Sequence, residues 1–522
     1  MIIKWVLIFL VFLFAFPGRS VSADYYIAQS AAGSGDGSSC ANADALADLT
    51  WGQGNMVTAG DTLHLCGTLT SQLSIGASGA SGNVITVIFE TGAKFSAAYW
   101  GTGAAINCTG QSYIVIDGNS VGGIEATANG DALANQQGGY GVYSSCDNTE
   151  VKGLTISNIY VHVYNDETYG SVDTRGITFR DNQNSSAHNN TISHAANAIT
   201  HVNASGATKS NISFYNNTVS YCSWGIQAVA GGNGSDTDNV RIYNNDILVS
   251  DNWMTPGGSY HNNGSYCYAC GANTGQNCSD SGEAHIVNLY YYNNYFHTST
   301  THAWAVSGFI HADYNVTNLY VYNNLIVGDA NGAPSGGGYI ASGGGTSGGT
   351  AYYYSNTIAG NNAEGTGTGM GRSYVGNSGT LTMKNNIITG TQIGVWPGTG
   401  ITIVADNNDY YGNTNMSFIG WENDGYATLT GWRTFLGGCP GTGNDCSAIA
   451  SDPSLDASYK SDAADDPIVN TGADLGESYN TDKDGNSRPQ GAAWDIGAYE
   501  YTSVPGTGTH NGISISGGVS FK

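Results

Sequence analysis

Ionisable side chains are scarce in this chain, so their clustering is informative. Asp166, Glu167 and Asp173 stand just ahead of the alternating run Gly176-Ile177-Thr178-Phe179-Arg180, with Arg175 beside it. If Ile177 and Phe179 point inward on a strand, Arg180 points outward. His201 closes the next run of the same kind, Asn197-Ala198-Ile199-Thr200-His201, and is expected near Arg180. Asp166, Asp173, Arg175, Arg180 and His201 therefore form the first candidate catalytic cluster. A base paired with a cation suits proton abstraction next to a carboxylate, with the cation holding the enolate charge. Two carboxylates drawn from Asp166, Asp173 and Asp181 would suit glycosidic hydrolysis. Epimerisation would share the first step of elimination, and sequence does not separate them.

A second cluster is His311 with Asp313, after the strand-like Val306 to Ile310, near His261, Glu283 and His285. Arg372 lies on an equivalent strand further on. Gln227, Trp224, Trp304 and Trp396 join His311, Asp313 and Arg372 as candidate substrate-binding residues, and Trp253 is a further sugar-platform candidate. The triplets Tyr290-Tyr291-Tyr292 and Tyr352-Tyr353-Tyr354 must alternate faces, so at least one ring of each points outward. Asp482, Asp484 and Asn486 have the i, i+2, i+4 oxygen spacing of a calcium loop, although Gly485 stands fourth rather than sixth and no Glu stands twelfth. Calcium is the one cofactor expected. Arg488, pairing with Asp495 or Glu500, is the other reading of that segment.

What must position these residues is a repeat. Asn189-Asn190, Asn216-Asn217, Asn244-Asn245, Asn293-Asn294, Asn323-Asn324, Asn385-Asn386 and Asn407-Asn408 each follow a short alternating strand and precede another. Ser355-Asn356 is a further copy. Successive second Asn residues are 27, 28, 49, 30, 32, 30 and 22 apart, so one coil carries an insertion of about twenty residues. This period, with three short strands each, predicts an all-β solenoid. Asn tolerates the left-handed conformation of a one-residue corner. Stacked coils would align the Asn side chains into a ladder, and about a dozen coils at roughly 4.8 Å give a rod near ~55–60 Å.

The order strand, Asn corner, strand, loop, strand resembles the coil of pectate-lyase-like right-handed parallel β-helix proteins. Resemblance implies that the strand after the Asn-cornered pair begins the next coil, and that its outer face forms a sugar groove. Gly60-Asp61-Thr62-Leu63 resembles the opening of exported members, and Ala41 to Leu49 is expected as a short amphipathic capping helix. Asp482-Lys483-Asp484-Gly485-Asn486-Ser487-Arg488-Pro489 leading to Asp495-Ile496-Gly497-Ala498-Tyr499-Glu500 resembles the closing motif of choice-of-anchor-type β-helix proteins. Together these cover residues 24–503. The chain lacks the Gly-His-Gly and Arg-Ile-Lys of polygalacturonases and the Arg-x-Pro-x-x-Arg of pectate lyases.

Lys4, the apolar run Trp5 to Phe16 and Val21-Ser22-Ala23 read as a signal peptide over 1–23, so the chain is expected to be secreted or held at the cell surface. Residues 24–430 are expected to form the β-helix, 431–503 a capping segment with a short helix at Thr430 to Leu436, and 504–522 a linker and tail. The formal charge is -25, or -27 once Lys4 and Arg19 leave. Such a chain repels nucleic acid and anionic membranes, and a bare polyuronate too. No later segment is apolar enough to span a bilayer. The expected partner is a polysaccharide and the expected state a monomer. All ten cysteines follow the leader, which suggests disulfides: Cys439–Cys446, Cys40–Cys66 and Cys108–Cys146. Cys267, Cys270 and Cys278 either hold zinc or join disulfides that include Cys222. The two functional expectations are a lyase or hydrolase on a long glycan, and a non-catalytic adhesive or glycan-binding rod.

Overall fold

A computed structural model describes residues 22–163, 173–232, 234–250, 253, 262–269, 284–298, 306–328, 338–342, 349–360, 368–370, 379–398, 400–417, 425–441 and 443–502. The chain is a right-handed parallel β-helix with three strands per coil. One coil shows the plan. A front strand, Thr174–Arg180, turns into a flank strand, Ser185–His188, which meets the Asn189-Asn190 corner and a back strand, Thr191–Ser193. Each pairs in parallel with its counterpart one coil on, Asn197–Asn203, Lys209–Tyr215 and Thr218–Ser220. Among the described residues twelve back strands make one sheet. The front and flank series join into one larger sheet because Ile106–Asp117 and Gly139–Lys152 run unbroken from front to flank.

The two residues of each Asn pair divide the work. The first takes the corner at positive φ, +55° at Asn189, +54° at Asn216 and Asn244, and +57° at Asn293. Ser355 does the same in its copy, at +51°. The second turns inward and builds the ladder. Asn217 donates both its backbone N–H and its Nδ2 to Asn245 Oδ1, each at 3.0 Å, and its Nδ2 also reaches the Ala187 carbonyl. The same pattern runs from Asn190 through Asn294, Asn324, Asn356 and Asn386 to Asn408. Every polar atom of these buried amides is thereby used, as burial requires.

Alternation sorts the tyrosine triplets. Tyr291 and Tyr353 are fully buried, while Tyr290 and Tyr352 stack outward on Tyr320, with centroids 4.7 and 5.0 Å apart. Tyr215, Tyr243, Tyr292 and Tyr322 form a second outward stack at 4.6–5.0 Å. Two of the three rings in each triplet thus face out.

Both ends differ from expectation in detail. The N-terminal helical cap is not one amphipathic helix over Ala41 to Leu49. It is two 3-10 turns, Cys40–Asn42 and Leu46–Asp48, because Asp44–Ala45 between them pairs with the first strand, Asp24–Ala28. At the far end the helix Leu429–Phe435 brings Trp432 onto the last coil. Asn408 Nδ2, Tyr410 Oη and Trp432 Nε1 all donate to the buried Asp445 carboxylate, which ends the Asn ladder. The following segment then runs back along the outside of the Asn corners. Asn407 donates to Thr471 O, Asn385 to Ala473 O and Asn323 to Thr481 O, and Lys483 Nζ donates to Asn293 O.

Cys40–Cys66, Cys108–Cys146 and Cys439–Cys446 are disulfide-bonded. Cys222 and Cys267 are instead free and buried, which corrects the expectation that Cys222 is cross-linked. Cys267 faces the core, where Tyr291 Oη donates to its Sγ at 3.0 Å. Cys270 and Cys278 lie outside the described residues.

Candidate functional site on the front sheet

The front strands bend at their second residue, and that bend decides what faces out. Tyr140-Gly141-Val142, Arg175-Gly176-Ile177, Asn197-Ala198-Ile199 and Trp224-Gly225-Ile226 align coil upon coil. The middle residue must be small: a Cβ on Gly176 would lie 2.6 Å from Ala198 O and 2.7 Å from Ile192 Cγ2. The residue before it turns outward. Tyr140, Arg175, Asn197, Trp224 and Asn263 thus form one outer row.

A second outer row starts three residues later, with Tyr143, Thr178, Thr200 and Gln227, then Tyr266 and His311. The register Ile310, Ile340, Met370, Val395 brings the next residue, Trp396, three coils beyond His311 on this row. A third row holds Arg180, Val202, Val229, Tyr268 and Asp313. From Tyr143 to Trp396 the face spans eight coil steps, about 38 Å.

Asp173 and Arg175 of the first cluster meet. Arg175 Nε and Nη2 donate to the two Asp173 oxygens at 2.7 and 3.1 Å, and Tyr140 Oη donates to Asp173 Oδ2 at 2.7 Å. Burial, reinforced by the Asp173 carboxylate, pushes the Tyr140 phenol up to about 12, so it remains a donor at neutral pH. The Arg175 guanidinium lies 5.6 Å from the Tyr140 ring centre. Arg180 is half-exposed and pairs with its neighbour Asp181 at 3.5 Å.

His201 does not join them. It shares register with Phe179, not Arg180, so it points into the core, where its Nε2 lies 3.2 Å from Asn182 O. A one-residue step flips a side chain to the other face. Burial lowers its pKa to about 4 and keeps it neutral. Thr200 takes the outward place instead. Asp166 and Glu167 lie outside the described residues.

The second cluster lies on the same face, four coils from Arg175. His311 Nε2 is 3.1 Å from Asp313 Oδ2, two residues on along one face of the strand. The Tyr266 ring centre lies 4.8 Å from the imidazole, and Tyr266 Oη reaches toward Asp313 Oδ2 at 3.4 Å. The other ring nitrogen of His311, Nδ1, is shielded and has no hydrogen-bond partner among the described residues. Trp224 meets Tyr266 edge to face at 5.4 Å, and Gln227 Oε1 accepts from Asn197 Nδ2 at 2.9 Å. The two clusters are therefore ends of one strip. His285 pairs with Asp236 instead. Trp253 is buried against Tyr160 and His162 and is no platform. Trp304, Arg372, His261 and Glu283 lie outside the described residues.

The Asp482, Asp484 and Asn486 segment is held as a turn. Asp482 accepts from the backbone N–H groups of Asp484, Asn486 and Glu500 and from Asn486 Nδ2. Asp484 pairs with Lys460. Among the described residues no group of three or more His, Cys, Asp or Glu side chains is placed to hold a metal.

Tyr140, Tyr143, Asn197, Tyr266 and Tyr268 escaped the sequence reading. The recurring triplet of an outward residue, Gly or Ala, then Val or Ile would have found Tyr140 and Asn197. Tyr266 was hidden because the inserted coil breaks the spacing.

No protein-family model and no curated protein matches the chain in sequence. Solved structures similar to it include an alginate lyase from Paenibacillus sp. str. FPU-7, at 13% identity and TM-score 0.40, covering 61% of this chain and 94% of that one. Pectate lyase Pel9A is similar at 15% identity and TM-score 0.36, covering 93% and 98%. The GH136 lacto-N-biosidase from Eubacterium ramulus is similar at 11% identity and TM-score 0.42, covering 77% and 66%. These likenesses carry nothing about chemistry, which has to be argued from this chain's own side chains.

Proposed function

We propose that the chain is an exported glycan-processing protein that lays a long polysaccharide along the front face, with His311 and Asp313 as the point of proton transfer. The observation that carries this is the merging of both clusters into one strip of rings, amides and an oriented imidazole. Asp313 would hold the His311 ring, as a carboxylate orients a general base, and a bound sugar would have to open access to its shielded Nδ1. Tyr266 would line the reacting sugar. Three disulfides support export.

Residues 24–522 should be assayed on acidic and neutral polysaccharides, with calcium and with chelator. Reducing ends and unsaturated-product absorbance would both be read. Unsaturation identifies a lyase, and reducing ends alone a hydrolase. His311→Gln should lower the rate by about 10²-fold or more with the fold intact. Loss of all glycan cleavage and binding would sink the proposal.

One observation favours a non-catalytic glycan-binding rod instead. Asp173 and Asp181 are each tied to an arginine. Asp313 lies four coils from Asp173, about 19 Å, beyond the roughly 5–10 Å of a two-carboxylate glycosidase. Retention on a glycan without cleavage would select this reading.

A further inference from the structure

We propose that the flank strands carry a second binding surface, for an extended ligand of linked flat aromatic rings. It lies apart from the front face and does not rest on the glycan reading. Tyr215, Tyr243, Tyr292 and Tyr322 stack there in one column, with centroids 4.6–5.0 Å apart and interplanar angles of 3–5°. His188 continues the column beyond Tyr215, at 4.4 Å and 9°. Tyr290, Tyr320 and Tyr352 make a second column, also stacked, at 8°. They stand two residues before Tyr292, Tyr322 and Tyr354 on the same strands, which sets the columns roughly 6–7 Å apart along the strand. The Arg241 guanidinium lies 5.7 Å from the Tyr290 ring centre, at the end of the second column. The tyrosines of both columns are half-buried, so part of each ring meets solvent. From Tyr215 to Tyr322 the surface runs three coil steps, about 14 Å.

Stacking decides what this surface can take. The faces of each ring are turned to its neighbours in the column, so the part offered outward is the rim. An aromatic rim carries the positive part of the ring quadrupole and a face the negative part. The complement of a row of rims is therefore a row of ring faces laid along the axis. A sugar needs ring faces for its C–H groups, and the stacking has already used these. The chain makes one contact of the expected kind itself. Tyr479, from the returning C-terminal segment, meets Tyr322 and Tyr354 edge to face, with both centroids 5.1 Å away and planes at 85° and 86°. Tyr215, Tyr243 and Tyr292 extend the same column away from Tyr479.

The probe is thioflavin T, two linked flat ring systems whose fluorescence rises when a surface stops them turning about the joining bond. Residues 24–522 should raise that fluorescence saturably. Tyr243→Leu with Tyr292→Leu leaves the charge unchanged and removes two neighbouring rims, and should weaken binding about tenfold or more. Tyr243→Phe with Tyr292→Phe keeps both rims and should bind within about threefold of the unaltered chain. Far-UV circular dichroism checks that both pairs fold; should the Leu pair not fold, Tyr215→Leu at the end of the tyrosine column is read in its place, with a weakening of about threefold or more expected. His311→Gln on the front face should leave dye binding unchanged. No saturable rise with the unaltered chain, or equal binding by the Leu and Phe variants, would overturn the proposal. Displacement of the dye by soluble xylan, β-glucan or galactomannan would assign the surface to sugar instead, and self-association that the Leu pair abolishes would assign it to a second copy of the chain; either overturns the ligand class proposed.

Discussion

Asp409 opens the last back strand with its carboxyl buried, one oxygen accepting from Ser451 N–H at 3.3 Å and the other without a partner among the described residues. Burial raises its pKa from 3.8 to about 8. Below pH ~4 the group is neutral folded and unfolded, and it contributes its full share of stability. As pH rises toward about 8 the unfolded chain gives up the proton and the folded one keeps it. Stability is therefore lost across that window, on the order of a few kcal/mol. Asp409→Asn keeps the Ser451 acceptor and cannot ionise. Its urea midpoint should exceed that of the unaltered chain at pH 8 and match it at pH 4. Equal midpoints at both pH values would show that the carboxyl is not held neutral. At this scale sequence reading is limited by parity. Arg175 with Asp173, and His311 with Asp313, were legible because each pair sits two residues apart, the first across a strand's start and the second within one strand. His201 was misplaced because nothing local says which residue of a bent strand turns outward.

The Asn pair is the element that makes the coils stack, and its two members should respond differently to the same change. Asn244 needs a left-handed backbone and little else, so Asn244→Gly should be within about 1 kcal/mol of neutral. Asn245→Gly removes an amide that accepts from Asn217 twice and donates to Asn294 and to the Phe214 carbonyl. Stranding those buried groups costs about 1–3 kcal/mol each, so a loss of several kcal/mol is expected in the denaturant midpoint. Similar midpoints for the two variants would refute the division of labour. The pair was plain in the sequence because both roles demand the same residue type at a fixed spacing. The N-terminal cap was less so: Asp44–Ala45 forms a strand only because Ile27 and Ala28 offer it an edge, and that edge is remote in sequence.

The whole molecule is a stack that could open coil by coil, and the returning C-terminal segment opposes this. It is fastened to Asn293, Asn323, Asn385 and Asn407, and Ala498 N–H donates to Thr357 Oγ1. Its own fold hangs on Arg488, fully buried, which donates to Glu500 Oε1 at 2.6 Å and to the carbonyls of Gly497 and Asp495. The pairing of Arg488 with Glu500 was among the sequence expectations; the path back along the corners was not, since it joins residues 64 to 190 positions apart. Arg488→Met would leave the Glu500 charge buried and unpaired, a loss of about 3–5 kcal/mol. Arg488→Met with Glu500→Gln should regain part of it. Hydrogen exchange in the single variant should quicken along the flank strands ending at Asn293, Asn323, Asn385 and Asn407. The first coils, tied by Cys40–Cys66 and Cys108–Cys146 and untouched by the segment, should keep their protection. Such a gradient follows from a solenoid whose coils contact only their neighbours, so that one strap holds only what it spans. Uniform quickening from end to end would mean that the rod opens as a single unit and the strap is no local clasp.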